Sequence, residues 1–188
     1  SSYLITQNTV YGTVSVGAIR DNPAFGVQAT VQNNTILNNG GNTPSLNVMH
    51  GDSCQPYNFP NDASGPYNDF TIADNVIVGG NNPAILNDQN CQSIIRFTGN
   101  RIHDHTASSQ PVISLRSPAE TGQLIFSDNQ ISRNSGAQSV LLLPPPGTVP
   151  GTITFLNNAF ADIDTTYAFQ PPNTNFTPTF VTVENNWW

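Results

Sequence analysis

Polar side chains recur at equivalent places in four short segments, and these are the side chains best suited to chemistry. The segments are VGAIRD, LNVMHGD, PAILND and VISLRS, at residues 16–21, 46–52, 83–88 and 112–117. Their candidate catalytic members are Arg20, Asp21, His50, Asp52, Asp88 and Arg116. Two of these carboxylates could supply the acid and base of an inverting glycoside hydrolase, which holds its carboxyl groups about 6.5–9.5 Å apart. A solvated strand face carries the same residue types, so the pattern is not specific.

A second group of ionisable residues lies four positions after three regularly spaced asparagines. The group consists of Asp104, Arg133 and Asp162. In stacked repeats these side chains would form an alternating ion ladder, in which each exposed pair contributes little to stability. His103 and His105 flank Asp104 and, as alternate residues of a strand, would share one face. They could chelate a metal, but no third ligand accompanies them, so the sequence predicts no metal site and no cofactor.

The spacing of these residues comes from a repeat that runs through the chain. Seven segments read apolar, any residue, small or polar, asparagine, any residue, apolar. Their shared residues are Asn8, Asn34, Asn75, Asn100, Asn129, Asn158 and Asn186, separated by 26, 41, 25, 29, 29 and 28 residues. Apolar and polar residues alternate before each asparagine, a second strand signal lies between successive asparagines, and a third follows each one. Each repeat therefore predicts one three-stranded coil of a solenoid.

The repeated asparagine has a physical role in such a coil. A two-residue turn between strands needs one residue in the left-handed region, which asparagine tolerates well. Amides that stack one strand spacing apart, about 4.8 Å, can bond to one another. The sequence therefore predicts an asparagine ladder in which the asparagines also make the turns.

The pattern resembles the right-handed parallel β-helix of the pectin-lyase-like superfamily. The resemblance covers all seven segments, and the closing Asn185-Asn186-Trp187-Trp188 is similar to an end motif of such proteins. The leucine-rich-repeat motif L-x-L-x-x-N-x-L fits the same positions. That family also requires a leucine eight residues before the asparagine, where this chain has Gln92, Thr121 and Pro150. We predict an all-β, right-handed parallel β-helix of about seven coils with three short parallel sheets, in a single domain over residues 1–188.

The strand signals also predict which side chains face the core. One inward column contains Val10, Ile36, Ile77, Ile102, Ile131, Phe160 and Trp188. A second inward column contains Ile19, Met49, Leu86, Leu115, Leu143 and Phe169. The outward column beside it contains Arg20, His50, Asn87, Arg116, Pro144 and Gln170.

The spacing of 41 residues predicts an insertion loop at about residues 51–68. Its aromatic residues Tyr57, Phe59 and Tyr67, with Arg116 at its border, are the predicted carbohydrate-binding residues. Cys54 lies in this loop, and Cys91 lies in the equivalent turn one coil later. Two cysteines in stacked turns could form a disulfide, which would indicate an oxidising compartment. The alternative is two free thiols.

Composition excludes several classes of protein. The net charge is −7, and the five basic residues are scattered arginines, whereas a nucleic-acid partner needs clustered positive charge. The longest apolar runs are too short for membrane insertion, and no segment resembles a signal peptide. A solenoid end without a cap exposes strand edges, and here also Trp187 and Trp188. We therefore expect end-to-end self-association, unless a cap or further chain covers this end.

The resemblance implies either of two functions. Members include enzymes whose active site lies on the outer face of the sheet entered after the third turn, which is the sheet of the candidate catalytic residues. A lyase would use Arg20 or Arg116 as base, with acidic residues holding a cation against a uronate. No family catalytic motif is intact, so we expect a secreted or cell-surface protein with a structural or adhesive role: a rod, a fibre subunit or a carbohydrate-binding surface. The alternative is a lyase or glycoside hydrolase acting on an acidic or neutral glycan.

Overall fold

The structure, a computed structural model, describes residues 2–17, 27–38, 40, 43–49, 68–88, 93–116, 122–143, 151–170 and 181–188. Within these ranges the chain forms strands β1 to β20 and no helix. Every strand pair is parallel, and the strands build three sheets. The described part of the chain offers no apolar helix long enough to cross a membrane. The predicted all-β parallel solenoid is therefore confirmed. Each complete coil has a third strand, whereas a leucine-rich repeat would have a helix or an extended turn there.

The first sheet leads into the ladder asparagines. In spatial order it contains β1 (Ser2–Thr6), β4 (Gln28–Gln32), β7 (Asn68–Ala73), β10 (Ser93–Thr98), β13 (Gln123–Ser127), β16 (Thr152–Leu156) and β20 (Val181–Glu184). Alternation along each strand points one set of side chains inward. Phe97, Phe126 and Phe155 are in register on three neighbouring strands, with ring centroids 6.1 and 5.5 Å apart. These rings continue the core from coil to coil.

The second sheet follows the ladder asparagines. It contains β2 (Thr9–Tyr11), β5 (Thr35–Leu37), β8 (Val76–Val78), β11 (Arg101–His103), β14 (Gln130–Ser132) and β17 (Ala159–Ala161). The middle residue of each strand faces inward, and Ile36, Ile77, Ile102 and Ile131 are fully buried. The predicted column is therefore confirmed over these coils. At its end Trp188 is 64% exposed and stacks on Phe160 with ring centroids 4.7 Å apart.

The third sheet completes each coil. It contains β3 (Val14–Gly17), β6 (Leu46–Met49), β9 (Ile85–Asn87), β12 (Thr106–Arg116), β15 (Ser135–Leu143) and β18 (Asp164–Thr165), and β19 (Phe169–Gln170) also pairs with β15. The inward residues include Val14, Val16, Leu46, Val48, Ile85, Ile113, Leu115, Val140 and Leu142. The predicted inward column is right at Leu115. It is wrong at Met49, which is 44% exposed, and at Leu86, which is in register with the outward Asn47.

The predicted outward column of this sheet is wrong at Asn87. Asn87 is in register with Val48 and Leu115, and it is 1% exposed. Its Nδ2 donates to the backbone oxygen of Arg116 at 3.0 Å, which satisfies part of the buried amide. Two other members of the predicted outward column are not in register with Asn87. Arg116 is in register with Leu143, and Gln170 is in register with Leu141. A register slip of one residue moves a side chain to the other face of the sheet.

The predicted number of about seven coils is too high. Four coils have all three strands paired to a neighbour on both sides: β4–β6, β7–β9, β10–β12 and β13–β15. The coils beyond them are paired on one side or are incomplete, because β18 has only two residues and β20 extends only the first sheet. Counting asparagines overstated the number because the segments of Asn8, Asn158 and Asn186 belong to coils that are paired on one side only or are incomplete.

The asparagine ladder is confirmed. Asn34, Asn75, Asn100, Asn129 and Asn158 are each 1% exposed or less. In each inner coil the backbone N–H and Nδ2 donate to Oδ1 of the next asparagine, both at 3.0 Å for Asn75 and Asn100. Nδ2 also donates to a backbone oxygen of the preceding coil, as from Asn100 to Ile72 at 2.9 Å. The ladder continues to Asn8 at one end and Asn186 at the other.

The left-handed residue of each turn is the one before the ladder asparagine. These residues are Gln7, Asn33, Asp74, Gly99, Asp128, Asn157 and Asn185, with φ between 52° and 66°. The prediction that the ladder asparagines make the turns themselves is therefore wrong. At Gly99 a side chain is also excluded by lack of space, because a Cβ there would clash with Oδ1 of Asp74. The ladder asparagines are free to bond because their neighbours supply the unusual backbone conformation.

Candidate functional site

Only part of the predicted catalytic face lies in the described ranges. Arg20, Asp21, His50 and Asp52 lie outside them, as do residues 51–67 of the insertion loop with Tyr57, Phe59 and Tyr67. Cys54 and Cys91 also lie outside the described residues, so the disulfide stays a prediction. Asp88 and Arg116 are the two catalytic candidates that the structure places.

Asp88 and Arg116 form an ion pair on the outer side of the third sheet. Arg116 ends β12, and Asp88 directly follows β9, the neighbouring strand. Nη1 of Arg116 lies 3.1 Å from Oδ1 of Asp88, and the two side chains are 27% and 49% exposed. Nε of Arg116 is buried without a hydrogen-bond partner. The ion pair engages one nitrogen of the Arg116 guanidinium, so Arg116 and Asp88 contact each other rather than standing as two separate catalytic groups.

A second cluster occupies the turn between the second and third sheets. Arg133 binds Asp104 through two hydrogen bonds, Nε to Oδ1 at 2.8 Å and Nη2 to Oδ2 at 3.0 Å. His103 Nδ1 lies 2.7 Å from Asp104 Oδ2 and 3.2 Å from Arg133 Nη2. Hydrogen bonds from Arg133 and His103 hold the pKa of Asp104 well below its usual range. The first pair of the predicted ion ladder is confirmed, whereas Asp162 contributes only longer-range attraction to Arg133.

This cluster borders an open depression of about 430 Å³. Its charged lining residues are Asp104, Arg133, Asp162 and Asp164. The described part of the chain contains no group of three histidine, cysteine, aspartate or glutamate residues placed to hold a metal ion. The depression therefore offers charged and hydrogen-bonding groups at one place on the surface.

His103 and His105 do not share a face, contrary to the prediction. Asp104 between them is left-handed, with φ 62°, and this turn separates their directions. His105 is 1% exposed, and neither ring nitrogen makes a hydrogen bond of normal geometry. Burial lowers the pKa of His105 to about 4, although the backbone groups of Ile77 and Asn82 partly oppose this shift. His105 is therefore a neutral core residue at neutral pH and cannot join His103 as a metal ligand.

The outer face of the second sheet is a further surface, of which the sequence pattern singled out only His103. Each of its six strands presents two outward residues beside the buried middle one. We call this set the second-sheet face: Thr9, Tyr11, Thr35, Leu37, Val76, Val78, Arg101, His103, Gln130, Ser132, Ala159 and Ala161. It contains two basic residues and no carboxylate. The first and third residues after each ladder asparagine form this face.

Comparison with known proteins adds no assignment, because no family model, no curated protein and no solved structure matches this chain. What the chain does must therefore be argued from its own residues.

Proposed function

We propose that this chain is a secreted or cell-surface protein with a structural or adhesive role, and that it binds carbohydrate without cleaving it. The single observation that carries the proposal is the ion pair between Asp88 and Arg116, at 3.1 Å. These are the two candidate catalytic groups in the described residues, and each neutralises the other. An arginine side chain offers donors and no acceptor, and the carboxylate of Asp88 is engaged by that guanidinium.

The ladder supports the structural half of the proposal. A continuous column of side-chain amides, buried from Asn34 to Asn158, runs from Asn8 to Asn186. In a solenoid each coil contacts only its neighbours, so such a column favours a stiff rod that presents flat strand faces. We also propose that the solenoid is right-handed and related to the pectin-lyase-like superfamily. The asparagine ladder and the Asn-Asn-Trp-Trp sequence at residues 185–188 support this proposal.

A polysaccharide panel tests the proposal. The purified chain is incubated with acidic and neutral polysaccharides, and retention of the chain is measured beside release of reducing or unsaturated ends. We expect retention on at least one polysaccharide and no release. The proposal fails if products accumulate and Arg116→Ala or Asp88→Ala abolishes them, while Asn81→Ala, in an exposed turn, leaves them unchanged. That result would establish the lyase or hydrolase alternative.

A further inference from the structure

His105 occupies a place where the next coil has an asparagine. The backbone N–H of His105 donates to Oδ1 of Asn134 at 2.9 Å, and Nδ2 of Asn134 donates to the backbone oxygen of Ile102 at 3.2 Å. Ile102 is in register with Ile77 of the preceding coil, so an asparagine at position 105 would meet the Ile77 oxygen in the same way. The imidazole of His105 therefore fills a buried site that suits an amide.

The His105 ring is buried without satisfied nitrogens. It is 1% exposed, and neither Nδ1 nor Nε2 has a hydrogen-bond partner in the described part of the chain. The backbone groups of Ile77 and Asn82 favour the protonated ring, but burial outweighs them and lowers the pKa of His105 to about 4. A neutral imidazole has only one N–H and cannot donate to both groups. The buried ring is thus poorly matched in either protonation state.

The ionisable groups around His105 do not hold a proton on it. His103 lowers the pKa of His105 and Asp104 raises it, so the two act in opposite senses. Asp104 is itself bound by Arg133 of the next coil. Strand β8 and residues 79–84, which form the preceding coil beside the ring, contain no ionisable residue. A proton on His105 therefore needs water, because an unpaired buried charge is costly.

A turn of the preceding coil lies against this ring. Residues 79–84 join β8 to β9, and we call them the glycine turn because Gly79 and Gly80 begin it, with φ of 70° and 120°. The Gly80 oxygen accepts from the backbone N–H of Thr106 at 2.8 Å. Glycine changes backbone conformation at low cost, so this turn can serve as a hinge. Its movement would admit water to the ring.

We propose that the glycine turn is a pH-sensitive gate: on mild acidification His105 takes a proton from solvent, the turn moves away from β12, and the asparagine ladder stays formed. The open turn binds the proton that the closed turn resists. Falling pH therefore favours opening below the ordinary histidine pKa of about 6.5, and the turn is closed above it. This device goes beyond the proposed function and does not depend on carbohydrate binding.

Amide hydrogen exchange at pH 7 and pH 5 tests the gate in the full chain without added ligand. The reporters are the N–H groups of Gly79 and Thr106, which bond across this corner of the coil at 3.0 and 2.8 Å. The reference is the N–H of Arg101, which joins the same two coils at the ladder by a 2.8 Å bond to Asn75. After correction for the intrinsic effect of pH, protection of the reporters should fall about twentyfold relative to Arg101.

His105→Asn removes the titrating ring and leaves a side chain that fits, as Asn134 does one coil later. This variant should abolish the pH dependence of the reporters. His103→Asn is the matched control, because His103 is the other histidine of the same turn, and it should leave the fall in protection unchanged. Melting temperatures show whether each variant is folded, and His105→Gln replaces His105→Asn if the latter does not fold.

Three results would overturn the gate. Equal loss of protection at Arg101 would mean that the two coils separate as a whole rather than at the glycine turn. A fall in protection that persists in His105→Asn would assign the effect to another group. Reporters of the wild-type chain that keep the same protection relative to Arg101 at both pH values would show that the turn does not open. None of these results affects the polysaccharide panel, which tests the proposed function separately.

Discussion

Asn100 shows how one residue type sets the coil. Its side chain accepts from Asn75 and donates to Ile72 and Asn129, and it is fully buried. Asparagine suits this place because its amide both donates and accepts in one plane. An isosteric carboxylate or a leucine would leave neighbouring backbone groups without partners.

Replacing Asn100 with alanine is expected to lower the free energy of unfolding by about 1–3 kcal/mol, because it strands buried partners on both sides. Asn81→Ala is the matched control, since Asn81 is exposed in a turn outside the ladder. Its cost should stay within about 0.5 kcal/mol. Denaturant unfolding of both variants measures the difference. Equal losses would contradict the importance of the ladder.

His105 makes stability depend on pH. Its folded pKa is about 4, below the ordinary value of about 6.5. The unfolded chain therefore binds a proton in a range where the folded chain resists it, and stability falls as pH drops from about 6.5 to about 4. The full effect is about 3 kcal/mol, and it is absent above this range. Asp104, whose pKa is also lowered, adds a further loss of stability around and below pH 4, where the unfolded carboxyl gains a proton and the folded one resists it.

His105→Asn is the variant that tests this dependence. Asn134 occupies the equivalent place in the next coil, where its Nδ2 donates to Ile102. Asparagine at 105 is therefore compatible with the turn and does not titrate. Urea unfolding across the pH range should show a flatter profile for this variant than for the wild type. An unchanged slope would mean that His105 does not titrate as a buried group.

At the scale of strands, sequence patterns predicted which face is buried better than they predicted register. The prediction of the buried residues was right for the second sheet, because its three-residue strands start at a fixed distance from each asparagine. The third sheet lies farther from that reference, so a slip of one residue put Leu86 inside and Asn87 outside. The buried Asn87 could not be predicted, because its partner is a backbone oxygen of Arg116 in another coil.

The candidate site was predicted less well than the fold. Asp88 and Arg116 were correctly recognised as neighbours, but their ion pair argues against the role they suggested. The pairing of Arg133 with Asp104, in contrast, followed from their shared position four residues after a ladder asparagine.

The phenylalanine column gives a prediction at the scale of one strand. Phe126 is fully buried between Phe97 and Phe155. Phe126→Ala should cost about 3–5 kcal/mol, because it leaves a cavity in the core. Ile125→Ala on the same strand is the control, since Ile125 points outward and is half-buried, and it should cost about 1 kcal/mol. Thermal unfolding of both variants separates the two faces of β13.

At the scale of the molecule, exposed aromatics predict association of the isolated chain. Trp187 and Trp188 are 74% and 64% exposed and lie beside each other. Adjacent exposed apolar surface favours contact between molecules. Sedimentation velocity should show species larger than the monomer at high concentration, and Trp187→Ser with Trp188→Ser should reduce them. Tyr167→Ser, at a 55% exposed residue, is the control. A wild-type chain that stays monomeric would contradict this expectation.

One amide column links the coils from Asn8 to Asn186, and we expect it to make them unfold as one unit. Amide hydrogen exchange tests it most directly, because the backbone N–H groups of Asn34, Asn75, Asn100, Asn129 and Asn158 donate to the next ladder amide. We predict that these five amides are among the slowest to exchange and that their protection is similar along the column. Exchange as fast as that of an exposed turn at Asn100 or Asn129, or protection limited to one end, would contradict the claim.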